Sequence, residues 1–318
     1  TVCPGHQANL ANYHTMDDGP SPPNGEHSMK RREFLKISGA GMAASAVAAP
    51  AVAAAGRSPM TSFETTITLI GGPTVLIELG GFRMLTDPTF DAPRSYQLAA
   101  VTRVKTTGPA IQPEAIGAID AVLLSHDHHI DNLDLSGRAF LPHAGRVFTT
   151  PVGAERLGRA AQGLAPWESA RLEAADGRSL VVTATPARHG PPGIEGTMGE
   201  VAGFVLGLEV PGDAIYVTGD TVWYEGVAEV AKRFQPRLVI LFAGAAKPRG
   251  PSFCATMDNN DAIETASAFP LARIVGVHND GWQHVTESQS DLAQGFTTLG
   301  LDSRLQLLEP GQPMRLTL

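Results

Sequence analysis

The stretch "DAVLLSHDHHIDNLDLSGR", Asp120 to Arg138, decides how the rest of the chain is read. An apolar run, "AVLL", stops abruptly, and His126, His128, His129 and several carboxylates crowd into the next few residues. A short apolar run bounded in this way reads as a buried strand. Polar chemistry gathered at its end is where open α/β sheets place their sites.

Four other strand ends repeat the pattern: "MLTDP" with Asp87, "TATPARHG" with His189, "YVTGD" with Asp220, and "IVGVHNDGWQH" with His278 and His284. One histidine after a strand is usually a hydrogen-bonded core or surface residue. Five strand ends with the same chemistry point further, because His and Asp converging from separate strands hold divalent ions while leaving positions open for water. Beyond Met29 the one cysteine is Cys254, with Cys3 upstream, so that part of the chain has neither a disulfide nor a Cys-rich zinc cluster to offer. Any metal falls to imidazole and carboxylate.

Around these points the chain alternates. "FETTITLI", "PTVLIEL" and "FRMLT" read as consecutive hairpin strands; "AVLL", "RVFTT", "LVVTAT", "AGFVLGLEV", "AIYVTGD", "RLVILF" and "RIVGV" follow as further strands. Helices are expected over "PVGAERLGRAAQG", "YEGVAEVAKRF", "MDNNDAIETASAF" and "TESQSDLAQGFTTLG", with Asp258 as the N-cap of the third. Hairpins first and strand–helix alternation later imply a layered α/β domain with at least two sheets.

Residues 60–318 read as that single domain. Residues 29–55, "MKRREFLKISGAGMAASAVAAPAVAAA", resemble a twin-arginine export signal, with Arg31 and Arg32 before a weakly apolar run and small-residue cleavage patterns. Ala and Gly carry too little transfer energy for a membrane span. Residues 1–28, rich in Pro, Gly and Asn, read as a non-native or untranslated upstream segment. The expected destination is periplasmic or extracellular. A net charge of −8 argues against non-specific nucleic-acid binding. The expected partner is a small-molecule substrate, with no lasting membrane insertion once the signal is removed.

The order of strand-Asp, His/Asp cluster, lone His, "GDT" and late His resembles the metallo-β-lactamase-fold hydrolase superfamily across nearly the whole domain. "LTDPTF", "TPARHG" and "YVTGDT" are most similar to the branch with ascorbate-6-phosphate lactonase-like enzymes and N-acylphosphatidylethanolamine-hydrolysing phospholipase D. The resemblance implies a four-layer αββα sandwich with its metals at one edge. The family cluster, His-x-His-x-Asp-His, can be laid on this chain in two registers. In one, His126 and His128 are the pair, and the family's Asp falls on Ile130, which cannot ligate. In the other, His129, Asp131 and Asn132 match the His-x-Asp-His portion, His126 still opens the motif, and one extra residue bulges the loop. The second keeps the carboxylate, and loops tolerate insertion better than sites tolerate losing a ligand.

What the resemblance implies is a first site of His126, His129 (or His128) and His189, with Asp220 bridging to a second site of Asp131, Asp220 and His278. Asn132 would stand there in place of an imidazole, so the second site is expected to be weaker and to tolerate Mn²⁺ better than Zn²⁺. One or two divalent ions, zinc foremost, are the expected cofactors. They would acidify water towards a pKa of about 7, with no need for a protein nucleophile.

Asp131 is the expected orienter of that water and proton carrier, and His284 a candidate for substrate contact. Asp87 is either an orienter of the histidines or a turn residue before Pro88. Tyr224 reads as a core residue and His143 as structural, while Arg94, Arg103 and Arg188 are within sequence reach of the motifs. Three functions fit: hydrolysis of a lactone, amide or ester; a phosphodiesterase of the same fold; and a metal-binding or redox protein without hydrolytic activity.

Overall fold

Side-chain alternation along the strands sorts the apolar residues into three layers of core. In Glu64–Gly71, Ile67 and Leu69 face one way and Ile70 the other; in Thr74–Leu79, Val75, Ile77 and Leu79 oppose Leu76. Phe204, Leu206, Ile215 and Val217 meet Ile67 and its neighbours in a shared central layer, while Val205 and Tyr216 turn outwards. The period of two in a strand makes each sheet two-faced, and both faces here are apolar, so each sheet must be covered on both sides. A computed structural model describes residues 62–99, 101–208, 210–248 and 253–318, all inside the unit Pro59–Leu318. The export signal read at 29–55 and the segment 1–28 lie outside the described residues.

The first sheet runs Met314–Thr317, Glu64–Gly71, Thr74–Leu79, Phe82–Thr86, Ile119–Leu123, Ala144–Thr149, Gln162–Gly163, antiparallel as far as Phe82–Thr86 and parallel beyond. The second runs Leu305–Gln306, Arg273–Val277, Leu238–Phe242, Ile215–Val217, Ala202–Gly207, Ser179–Pro186, Ser169–Glu173, parallel through its first four strands and antiparallel after. Helices Glu225–Arg233, Asn259–Ala268 and Gln289–Thr298 bury Val227, Val230, Ala262, Ala266, Leu292 and Phe296 against the outside of the second sheet. Leu135–Phe140 and its neighbours cover the first. The result is the αββα sandwich. Asp258 caps its helix as expected, accepting from Asp261 N at 3.0 Å. Among the described residues no helix is long and apolar enough to cross a membrane.

Two expectations change. The helix read over 151–163 is α-helical only at Pro151–Leu157; Gly158, at φ 67°, ends it, and Gln162–Gly163 pair as an edge strand. A hairpin of Arg94–Gln97 and Thr102–Lys105, too polar to announce itself, stands outside both large sheets. It is tied to the loop after Arg273–Val277, where Thr106 N donates to Gly281 O at 2.8 Å and Gln283 N to Val104 O at 3.0 Å.

Candidate metal centre

All five polar strand ends open at one edge of the sandwich. Strand Phe82–Thr86 ends at Asp87, whose φ of 24° is rare for a residue with a Cβ. Asp87 Oδ1 accepts from Ser125 N at 2.6 Å, and Ser125 Oγ lies 2.9 Å from His126 Nδ1. Asp87 therefore braces the histidine loop through its backbone; it does not bond an imidazole.

The bulge in that loop has a physical cause. Asp127 is buried and receives Arg156 Nε at 3.0 and 2.9 Å, while its carbonyl accepts from Arg138 at 2.8 Å. His128 Nε2 donates to Met198 O at 2.7 Å, and Arg156 approaches Nδ1 at 3.3 Å. His126, His128 and His129 offer nitrogens within 4.8 Å of one another, yet both of His128's nitrogens are engaged elsewhere. His126 Nε2 instead meets His129 Nδ1 at 2.9 Å. Geometry favours the register with the inserted residue.

The second sheet supplies the rest. His189 Nδ1 donates to Ala255 O at 2.8 Å, which leaves Nε2 of the neutral ring as a bare lone pair, 3.2 Å from His129 Nδ1 and 3.6 Å from Asp220 Oδ2. Asp220 follows Gly219, at φ 62°, where a Cβ would come within 2.5 Å of Ala202 O, so the "GD" pair needs its glycine. Asp220 Oδ2 stands 4.0 Å from His126 Nε2, and Oδ1 stands 3.6 Å from His278 Nε2. His278, at φ 57°, is equally 3.6 Å from Asp131 Oδ2, and Asp131 meets His284 Nε2 at 2.9 Å. Left-handed backbone costs a side-chain-bearing residue about 1–2 kcal/mol, a strain typical of functional positions.

The donor set fits divalent ions. Both Asp220 oxygens, His278 Nε2 and the Asn132 amide are buried without a hydrogen-bond partner, a costly state that a cation would relieve. Groups able to hold an ion are His126–His189–Asp220 and Asp131–Asp220–His278, sharing one carboxylate. Asn132 is fully buried beside Asp220; no hydrogen bond closes between them, although the amide is near enough to favour the ionised carboxylate.

The two groups differ in protonation. Burial pushes His126 well down, His129 to about 4 and His189 to about 3, so all three are neutral at pH 7. Burial also opposes charge on His278, but Asp220, Asp131 and Asp87 outweigh it and raise His278 to about 9. Burial raises Asp220 to about 6, with Asp131 adding and His278 opposing. An ion at the imidazole-rich group displaces no imidazolium, so its affinity is expected to be flat above about pH 6, where Asp220 is ionised. An ion at the other group must displace the His278 proton, so its affinity should rise about tenfold per pH unit and level off above about pH 9. Calorimetry in buffers of different ionisation enthalpy checks this. At pH 7 filling both groups should release about one proton in all, from His278, which Asp220 holds protonated until an ion neutralises that carboxylate; no release would contradict the assignment.

Other sequence candidates sort clearly. Trp282 stacks on Tyr96, its ring centroid 5.8 Å away, and edges against His284. Tyr224 packs under Arg188, 4.4 Å from guanidinium carbon to ring centroid, and joins the core between the second sheet and its helices. His143 borders a cavity of about 570 Å³ with Pro113, Ser136 and Phe140, which contains none of the candidate ligands. Arg94 lies over the Tyr96 ring. A buried network escaped the sequence reading: Asp134 accepts from Phe90 N (2.9 Å), Asp91 N (2.7 Å), Gly137 N (2.8 Å) and Lys105 Nζ (2.7 Å), pinning the loop just past Asp131. An Asp opening "DLSGR" carries an N-cap signal; nothing local marks its lysine.

A family model described as "Beta-lactamase superfamily domain" matches residues 82–279. "UPF0173 protein YddR" of Bacillus subtilis is 26% identical over 254 residues, covering 77% of this chain and 98% of that protein. A "UPF0173 metal-dependent hydrolase" of Methanocorpusculum labreanum is 28% identical over 154 residues, 46% of this chain and 64% of its own. Among solved structures, isothiocyanate hydrolase from Delia radicum gut bacteria superposes with a TM-score of 0.68 at 21% identity, covering 79% of this chain and 99% of that one.

Proposed function

Since this chain belongs to the beta-lactamase superfamily and is a metal-dependent hydrolase of its fold, we propose that it cleaves a lactone, amide or ester, with His126, His129, His189 and Asp220 holding a first ion and Asp131, Asp220 and His278 a second. The observation that carries this is Asp220, a buried carboxylate with no hydrogen bond to either oxygen and imidazoles of both groups within 4.0 Å. The imidazole-rich group suits Zn²⁺; the oxygen-rich one, where Asn132 stands, suits Mn²⁺ as well.

Divalent ions in such a cage supply acidified water and polarise the scissile oxygen. The chain's own residues do the rest. Asp131 would orient the attacking water, take up its proton and return it to the leaving group, while His284 Nε2 donates to that carboxylate at 2.9 Å and fixes its orientation. His284 Nδ1 has no partner among the described residues, which leaves it available to a polar group on the substrate. His189 is held in one tautomer by Ala255 O, and His126 is steadied by Ser125.

Purified protein supplied with Zn²⁺ or Mn²⁺ should be assayed on lactone, β-lactam, aryl-ester and bis-aryl-phosphodiester substrates. Turnover of a carboxylic acid derivative above the phosphodiester is expected. A reversed order would favour a phosphodiesterase, and silence with every metal would favour a metal-binding protein without hydrolysis. Asn132→His should tighten the second ion on the order of tenfold, about 1.4 kcal/mol, and raise the metal content per chain by elemental analysis. An unchanged content would remove Asn132 as the cause of weakness.

A further inference from the structure

Beside His284 is a cleft of about 280 Å³, lined by Thr102, Arg103, Val104, Lys247, Gln283 and His284. Three backbone segments meet there edge to edge. Gln283 N donates to Val104 O at 3.0 Å and Lys247 N to His284 O at 2.9 Å, which sets Arg103 on one side of the His284 loop and Lys247 on the other. No carboxylate lines this cleft in a chain of net charge −8.

Other arginines on the site loops are committed: Arg138 to the Asp127 carbonyl, Arg156 to the Asp127 carboxylate, Arg188 to Glu225. Among the described residues Arg103 and Lys247 form no ion pair and no side-chain hydrogen bond. Glu287 feels the Lys247 charge but lines no part of the cleft and accepts from Asn259 N, so an anion entering between Arg103 and Lys247 meets two cations that no salt bridge neutralises.

We infer that this cleft is the subsite for an anionic group on the substrate, a carboxylate or a phosphate, gripped by Arg103 and Lys247 with His284 standing between it and Asp131. This rests on the hydrolase reading of the neighbouring centre. The anionic group is distinct from the bond cleaved. A guanidinium can present two parallel donors to two oxygens of a carboxylate or phosphate, and the lysine adds a point charge from the other side of the His284 loop. Anchoring a remote group in this way orients the scissile bond relative to Asp131 and His284. Arg103 and Lys247 are thus positioning residues that set specificity.

The test uses the metal-loaded full chain, wild type against Arg103→Gln, Lys247→Gln and the double variant, with Arg103→Lys as the charge-conserving control. Kinetics compare a neutral ester, 4-nitrophenyl acetate, with one bearing a carboxylate, mono-4-nitrophenyl glutarate. The anionic-to-neutral ratio of kcat/KM should fall about tenfold or more in the double variant, mainly through KM, with Arg103→Lys retaining most of it. Calorimetry with succinate and with inorganic phosphate supplies a second readout. Any affinity owed to the metal centre is common to wild type and variant, so an about tenfold loss in the double variant reports the cleft. The anion whose affinity falls further identifies the source.

An unchanged substrate ratio together with unchanged anion affinity would overturn the subsite and leave the hydrolase reading standing. No turnover on any substrate, combined with a tenfold loss of anion affinity, would sink the hydrolase reading and leave the anion site.

Discussion

Asp220→Asn is expected to lower kcat/KM by about a thousandfold or more on every substrate the wild type accepts. The reason is that one carboxylate serves both ligand groups, with Oδ2 towards His126 and His189 and Oδ1 towards His278. No other single substitution removes an oxygen from both. Metal content should fall at both sites together, whereas His278→Ala would empty chiefly the second. The fold should survive. In the metal-free protein the cost of burying the Asp220 carboxylate outweighs its attraction to His278, with Asp131 adding repulsion, so neutralising it removes a net penalty. The metal-free variant should therefore melt no lower than metal-free wild type. A variant that keeps a tenth of its activity would show that Asp220 is dispensable, and with it the shared-carboxylate scheme.

Asp134→Ala should cost about 3–5 kcal/mol of stability, a drop in melting temperature on the order of 10 °C. Both members of the Lys105–Asp134 pair are almost wholly buried, at 3% and 0% side-chain exposure. Burial pulls the Lys105 pKa down, and Asp134 is the largest influence holding it charged. Removing the acid strands that ammonium and three backbone N–H groups at once. A second change, Lys105→Met, should recover part of the loss, because a buried pair is worth less than the penalty for breaking it. Denaturant midpoints measure both. A loss below about 1 kcal/mol would mean that the ammonium finds another partner or reaches water.

Much of the centre was legible because His126, His129, His189, Asp220 and His278 interrupt apolar runs, and a polar residue ending a buried strand has few bland explanations when it recurs. The sandwich was legible for the same reason, from the alternation of strands with amphipathic helices. Choosing between His128 and His129 was harder. Both are ligand types in a loop of unknown path, and what favours His129 is that Arg156 and the Met198 carbonyl, 28 and 70 residues away, engage His128. Asp87 lay between two readings because its partner is a backbone N–H, which every residue but proline carries. Lys105 could not be found at all. A lysine in a polar hairpin ordinarily reads as solvated, and its burial follows from Asp134, 29 residues on, and from the Trp282 ring 5.5 Å from its ammonium.

Ligand-type residues come from both sheets: His126, His129 and Asp131 from the first, His189, Asp220 and His278 from the second. Asp131 touches His284 across 153 positions of chain. On a ribosome the early imidazoles emerge facing nothing, and a chain halted before His189 carries only half a cage. Neither ligand group can close around a cation until the later sheet has docked on the earlier one, because each draws residues from both.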